Sequence, residues 1–288
     1  MKISNDRLTI TIAAAGAELQ HIVHNDSGLD YMWGADPAVW GKKSPVLFPI
    51  VGGLKNNTYT YNGHEYTLGR HGFARDQVFT VTEQGDTHIT FTLTDSEATR
   101  KVYPFRFAFH VRYTLQDSQL KVTYIVENTG DKELLFSVGG HPAFRIPLVE
   151  GTSYEDYYLH FNRKENTGRY PLSAAGQIEL TPIPMLQNTQ ELPLHKSLFL
   201  EDALVFKNLA SSAISIKSNK TPHGLAISFD GFPYMGIWAA KNGDFVCIEP
   251  WCGIADNVSA TGNLNEKEGI NRLAPGEQFE RTWEAEFF

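Results

Sequence analysis

The chain has 288 residues, 42% hydrophobic and 20% charged, enough apolar content for either two modest domains or one large β domain. A net charge of −8 argues against nucleic acid or anionic membrane as a partner. No apolar run approaches the ~18 residues of a membrane span and no export signal opens the sequence, so a cytoplasmic protein with reduced Cys247 and Cys252 is expected.

Period-two alternation dominates from the start. Leu8-Thr9-Ile10-Thr11-Ile12 reads as a half-buried strand, and Asp36 to Trp40 as a short helical turn. Tyr59 to Leu68 alternates on both sides of Asn62-Gly63, which predicts a hairpin because both central residues of that turn need positive φ. Glu83-Gln84-Gly85-Asp86 and Gln116-Asp117-Ser118 read as further hairpin connections, with strands over Ile89–Thr94 and Lys121–Tyr124 and a short helix near Ser96–Lys101. Residues 163–197 hold several prolines and read as loops and short strands. Phe279 to Glu284 alternates again. With no linker and no repeat, the pattern predicts one domain over 1–288. It is all-β, a large antiparallel β-sandwich of roughly fifteen or more strands in two stacked sheets.

Three stretches combine glycine or proline with ionisable and aromatic side chains. They are Gly69-Arg70-His71-Gly72-Phe73-Ala74-Arg75, then Phe136 to Pro147 around His141, then Asp244-Phe245-Val246-Cys247-Ile248-Glu249-Pro250-Trp251-Cys252. Gly139 and Gly140 permit unusual backbone angles and Pro142 ends regular pairing, so His141 stands at a bend. Pro250 places Glu249 at the end of a strand. Taken singly, His71 is a loop donor, His141 a bend residue and Glu249 an edge charge; each is equally a candidate acid or base. The histidines show no metal-ligand spacing, and Cys247 and Cys252 lack a second ligand pair, so no metal is expected. Neither a Gly-x-Ser-x-Gly elbow nor a glycine-rich phosphate loop occurs.

Together these stretches resemble the aldose 1-epimerase (mutarotase) family, and its LacX-like branch more than the typical galactose mutarotases. "FPIVGGLKNNTYTYNGHEYTL" (48–68), "RHGFARD" (70–76), "VGGHPAFRIP" (138–147), "EDALVFKNL" (201–209) and "VCIEPWCGIAD" (246–256) carry the resemblance in family order across most of the chain. It implies a β-sandwich of the galactose mutarotase type that interconverts α and β anomers of an aldose without a cofactor. His141 is then the general acid, Glu249 the general base, His71 a substrate-orienting histidine and Asp202 a hydroxyl-binding aspartate. Mutarotation needs the anomeric hydroxyl deprotonated while the ring oxygen is protonated. A carboxylate and an imidazolium on opposite sides of the sugar do this, and their attraction is expected to raise the histidine pKa and lower the glutamate's.

The family's sugar-contacting arginine is absent, since Gly52-Gly53-Leu54 occupies its place; Lys55, Arg70 and Arg75 are candidates to replace it. Their forks suit a sugar phosphate, although Arg70 and Arg75 equally suit pairing with carboxylates such as Asp76. Trp251 and Phe73 are the preferred stacking surfaces for a sugar face, with Trp33 and Phe144 also in view. A small-molecule sugar or sugar phosphate is the expected partner of a monomer or homodimer. A non-catalytic carbohydrate-binding or sugar-sensing protein is the second reading. A glycosidase ranks lower, for want of a second placed carboxylate.

Overall fold

Alternation in the sequence becomes alternation in burial. Along Leu8–Ile12, and from Phe109 through the Ala108–Gln116 strand, every second side chain is buried, as a half-buried pleated strand requires. Such segments are among the 22 strands in this computed structural model, which describes residues 1–288. The chain forms one α-helix, Glu97–Val102, capped by Ser96 accepting from Thr99 N, and no helix is long and apolar enough to cross a membrane.

A nine-stranded antiparallel sheet runs from Ile183–Pro193 and Tyr157–Arg169 at one edge, through Gln278–Phe287 and Gln119–Glu127, to Thr80–Gln84 at the other. A six-stranded sheet runs Leu204–Lys207, Tyr234–Trp238, Phe245–Cys252, Val138–Gly140, Val46–Leu47, with Ala143–Arg145 also on Phe245–Cys252. Phe109, Val122 and Trp283 of the first meet Val246, Ile248 and Ile237 of the second in one continuous core. The architecture is the expected β-sandwich. Phe245–Cys252 is buried at all eight positions because it is covered on both faces. Its inner residues enter the main core, while Trp251 joins a second cluster with Leu47, Val51, Ile178 and Val205.

The hairpin at Asn62-Gly63 forms with positive φ at both residues. Asp36 to Trp40 forms the expected short turn, with Trp40 N donating to Asp36 O at 2.8 Å. Three expectations are corrected. Residues 163–197 contain much of the two longest strands, Tyr157–Arg169 and Ile183–Pro193. Bulges between them break the period-two pattern, and the prolines are tolerated because Ile183–Pro193 is an edge strand. Glu249 is interior to its strand, which continues through Pro250 to Cys252.

The third correction concerns Gly139-Gly140. Neither adopts a left-handed conformation; both make room. A Cβ on Gly139 would lie 2.7 Å from the Trp251 ring and 3.0 Å from Pro250 O, and one on Gly140 would lie 2.6 Å from the Tyr124 hydroxyl. Gly139→Ala is therefore expected to cost about 1–3 kcal/mol by overpacking, read as a fall of several degrees in thermal midpoint. An unchanged midpoint would show that the slot is not tight.

Candidate active site

Strand register brings the two central residues together. Gly139 pairs with Trp251 and Ala143 with Cys247, an unbroken register that sets His141 directly opposite Glu249. Pro142 and Pro250 carry no N–H, so ladder bonding lapses there while the side chains stay cross-strand neighbours. His141 Nε2 lies 3.3 Å from Glu249 Oε1, with both residues buried. On the other flank Glu249 faces Gly236, which places no side chain over the carboxyl.

Burial decides the charge state. Desolvation pulls the His141 imidazole down to about 3, and the positive charges of Arg75 and Arg70 push the same way. Desolvation holds the Glu249 carboxyl well above the usual carboxylate range, opposed by Arg70 and reinforced by Asp202. Mutual attraction was expected to do the reverse, and burial outweighs it. The two groups stand side by side on one wall of the site.

His71 adopts φ 68°, next to Gly72, whose Cβ would lie 2.3 Å from Phe48 O. Its Nδ1 accepts from Gly52 N at 3.1 Å, and its own N–H donates to Gly52 O at 2.9 Å. A backbone N–H only donates, so Nδ1 carries the lone pair and the neutral ring keeps its hydrogen on Nε2. Desolvation, then the charges of His141, Arg70 and Arg75, holds its pKa well below the ordinary histidine value. Gly52 packs against Ala255, where an added Cβ would approach to 2.4 Å. That contact is held by a buried ion pair. Lys267 Nζ donates to Asp256 Oδ1 at 2.7 Å and to Ile254 O at 2.8 Å, while Asp256 Oδ2 accepts from Lys55 N at 2.9 Å.

His71, His141 and Glu249 line an open cavity of about 760 Å³ together with Arg70, Arg75, Asp202 and Trp251. Asp202, at φ 90°, accepts from Ala203 N at 2.8 Å, and its other oxygen lies 3.8 Å from Arg70. Arg75 lies 3.7 Å from Asp76 and donates to Arg70 O at 3.0 Å, so pairing with Asp76 holds for Arg75 and not for Arg70. Two expected residues stand outside the cavity. The Lys55 ammonium donates to Val258 O at 3.2 Å and Ala260 O at 3.4 Å. Phe73 packs among Phe48, Tyr103 and Phe107 in the core. Trp33 and Phe144 are likewise buried core residues.

Sequence reasoning missed Trp40, Trp238 and the Leu172–Ala174 segment, all of which line the cavity. Trp40 follows the Asp36 turn and Trp238 ends a strand; neither adjoins an ionisable motif, so no local signal marks them. His141, Cys247 and Glu249 bring their donor atoms within 4.8 Å of one another. Burial pushes the Cys247 thiol well above its ordinary value, away from the thiolate form that binds metals.

The chain is similar to known proteins over nearly its whole length. The aldose 1-epimerase family profile matches residues 1–284. Protein LacX (plasmid) of Lactococcus lactis subsp. lactis is 34% identical over 285 residues, covering 96% of this chain and 95% of its own. A galactose mutarotase related enzyme from Lactobacillus acidophilus superposes with a TM-score of 0.95 at 37% identity, over 100% of this chain and 97% of that one. A galactose mutarotase-like protein from Lactobacillus casei gives 0.91 at 28% identity, over 100% and 99%. The sandwich, the cavity and these matches lead to one conclusion: the chain belongs to the aldose 1-epimerase family of isomerases.

Proposed function

We propose that the cavity binds a hexose or hexose phosphate and interconverts its α and β anomers, without a cofactor, by proton transfer between the sugar and the His141–Glu249 pair. The observation that carries this is the 3.3 Å contact between His141 Nε2 and Glu249 Oε1 at an open cavity. Two touching groups that share one proton offer one acid and one base, which is what the two oxygens on C1 require.

Sugar hydroxyls bonded to the pair replace lost solvation and, with Arg70, favour the ionised carboxylate. Glu249 then takes the proton of the anomeric hydroxyl. The C1–O5 bond breaks as the carbonyl forms, and O5 takes the proton held by His141 Nε2. The open chain turns about C1–C2. On closure, imidazole removes the O5 proton, the carboxylic acid protonates O1, and both groups return to their starting states. His71, with hydrogen on Nε2, and Asp202 serve as donor and acceptor for sugar hydroxyls, and Trp251 supplies an apolar surface. Arg70 is the basic residue that replaces the missing arginine. Its exposed pairing with Asp202 is worth little in water, so it is free to exchange for a ligand contact. The continuous core supports one domain over the whole chain, and the net charge of −8 supports an enzyme that does not bind nucleic acid.

His141→Asn and Glu249→Gln are each expected to lower kcat for anomer exchange by roughly 10²–10⁴-fold with little change in thermal midpoint. Polarimetry of freshly dissolved glucose, galactose and their 6-phosphates reads this directly. Sugar binding by the wild type with no acceleration would make the protein a sugar-binding relative instead. Arg70→Ala is expected to raise KM, more for the phosphate ester if phosphate is the natural group, and to lower kcat because the charge that favours the ionised Glu249 carboxylate is lost; KM and kcat both unchanged would remove Arg70 from the site.

The pH profile follows from the two shifts. With His141 lowered, a second proton enters the pair only near pH 3. With Glu249 raised, the remaining proton leaves above the ordinary carboxylate range. Log kcat/KM is therefore expected to stay flat through mildly acidic pH. An acid limb near the ordinary histidine value of about 6.5 would contradict the burial argument.

A further inference from the structure

His141 shows one nitrogen to Glu249, while the other, Nδ1, is buried and makes no hydrogen bond to another residue. An imidazole used for proton transfer is ordinarily oriented by a hydrogen bond at its second nitrogen. Here aromatic rings stand around it instead. Trp40 stacks on the imidazole with centroids 5.1 Å apart and planes at 28°. Trp238 meets it at 5.6 Å and 83°, and His71 at 5.8 Å and 84°. The two indoles contact each other at 5.3 Å, and both rest on Phe245, a fully buried residue.

We propose that Trp40 and Trp238 are positioning residues, an aromatic clamp that fixes the orientation of His141 in place of a hydrogen bond at Nδ1. This rests on the reading of His141 as the proton donor. Rotation about the last side-chain bond of histidine is soft and roughly two-fold, and a half-turn would replace Nε2 by carbon at the reacting position. Such a turn must pass through an orientation perpendicular to the Trp40 plane, which the stacked indole obstructs. The clamp is itself anchored. Trp33 Nε1 donates to Trp40 O at 2.9 Å, and the Asp36 carboxylate accepts from Ala38 N at 2.9 Å, closing the turn that delivers Trp40. Trp238 stands on the strand next to Glu249, paired with Cys247.

The test uses Trp40→Leu, which stays apolar but loses the flat face and much of the bulk, and Trp40→Phe, which is also smaller than Trp but keeps a flat face. In Trp40→Leu, kcat is expected to fall roughly 10- to 100-fold, the scale of a small misplacement of a reacting group, with KM within about twofold. Trp40→Phe is expected to recover most of the loss. A raised KM with unchanged kcat would overturn the proposal and make Trp40 a stacking surface for the sugar; no change in either would overturn it outright. A second readout does not depend on turnover. In protein labelled with ¹³C and ¹⁵N at histidine, the His141 ring signals, assigned by their loss in His141→Asn, are expected to show exchange broadening between two ring orientations in Trp40→Leu and not in Trp40→Phe, beyond the simple shift that loss of the indole ring current causes. Histidines remote from the cavity should keep theirs. His141 signals in Trp40→Leu that stay sharp, without exchange broadening, would refute the clamp whatever reaction the protein performs.

Discussion

Everything in the site depends on one cross-strand register. The pairing of Gly139 with Trp251 and of Ala143 with Cys247 leaves no freedom for what lies between, and His141 must face Glu249. Two prolines, one on each strand, remove N–H donors at the point where the side chains meet. The sheet therefore continues in geometry while its hydrogen bonding pauses. A buried imidazole and carboxyl meet in the middle of the sheet, where neither group would be placed for stability, since burial works against the charge of each.

The surrounding residues read as the means of making that register possible. Gly139 and Gly236 leave the slot that Trp251 fills from both sides. Gly52 permits Ala255 to approach and offers its N–H to His71, fixing that ring's tautomer. The buried Lys267–Asp256 pair ties the 254–256 segment to Lys55 N. Asp256 also bonds Gly53 O through its N–H and accepts Ile178 N at its carbonyl, so one residue joins three segments of the cavity wall. Burial lowers the Lys267 pKa, and Asp256 opposes the shift.

Much of the fold is legible in the residues because alternation, Asn62-Gly63 and the short hairpin connections are local signals. Legibility fails where the physics is not local. The bulges in Tyr157–Arg169 and the edge position of Ile183–Pro193 hide two long strands, and Pro250 imitates a strand end that is not there. In the site, the residues within the motifs converge, apart from Lys55 and Phe73, which share those motifs yet turn to carbonyls and to the core. Trp40 and Trp238 carry no motif, and only the tertiary fold brings them to His141. The charge states of the pair are also illegible, because residue types suggest attraction while only burial reveals the larger opposing effect.

The most direct test of the central claim is a crystal structure of Glu249→Gln with a hexose bound, since the slowed variant holds the sugar in place. The sugar is expected to sit with C1 over the pair, its ring oxygen within hydrogen-bond reach of His141 Nε2 and its anomeric hydroxyl at residue 249. A sugar bound in the same cavity with C1 turned away from both groups would contradict acid–base catalysis by this pair.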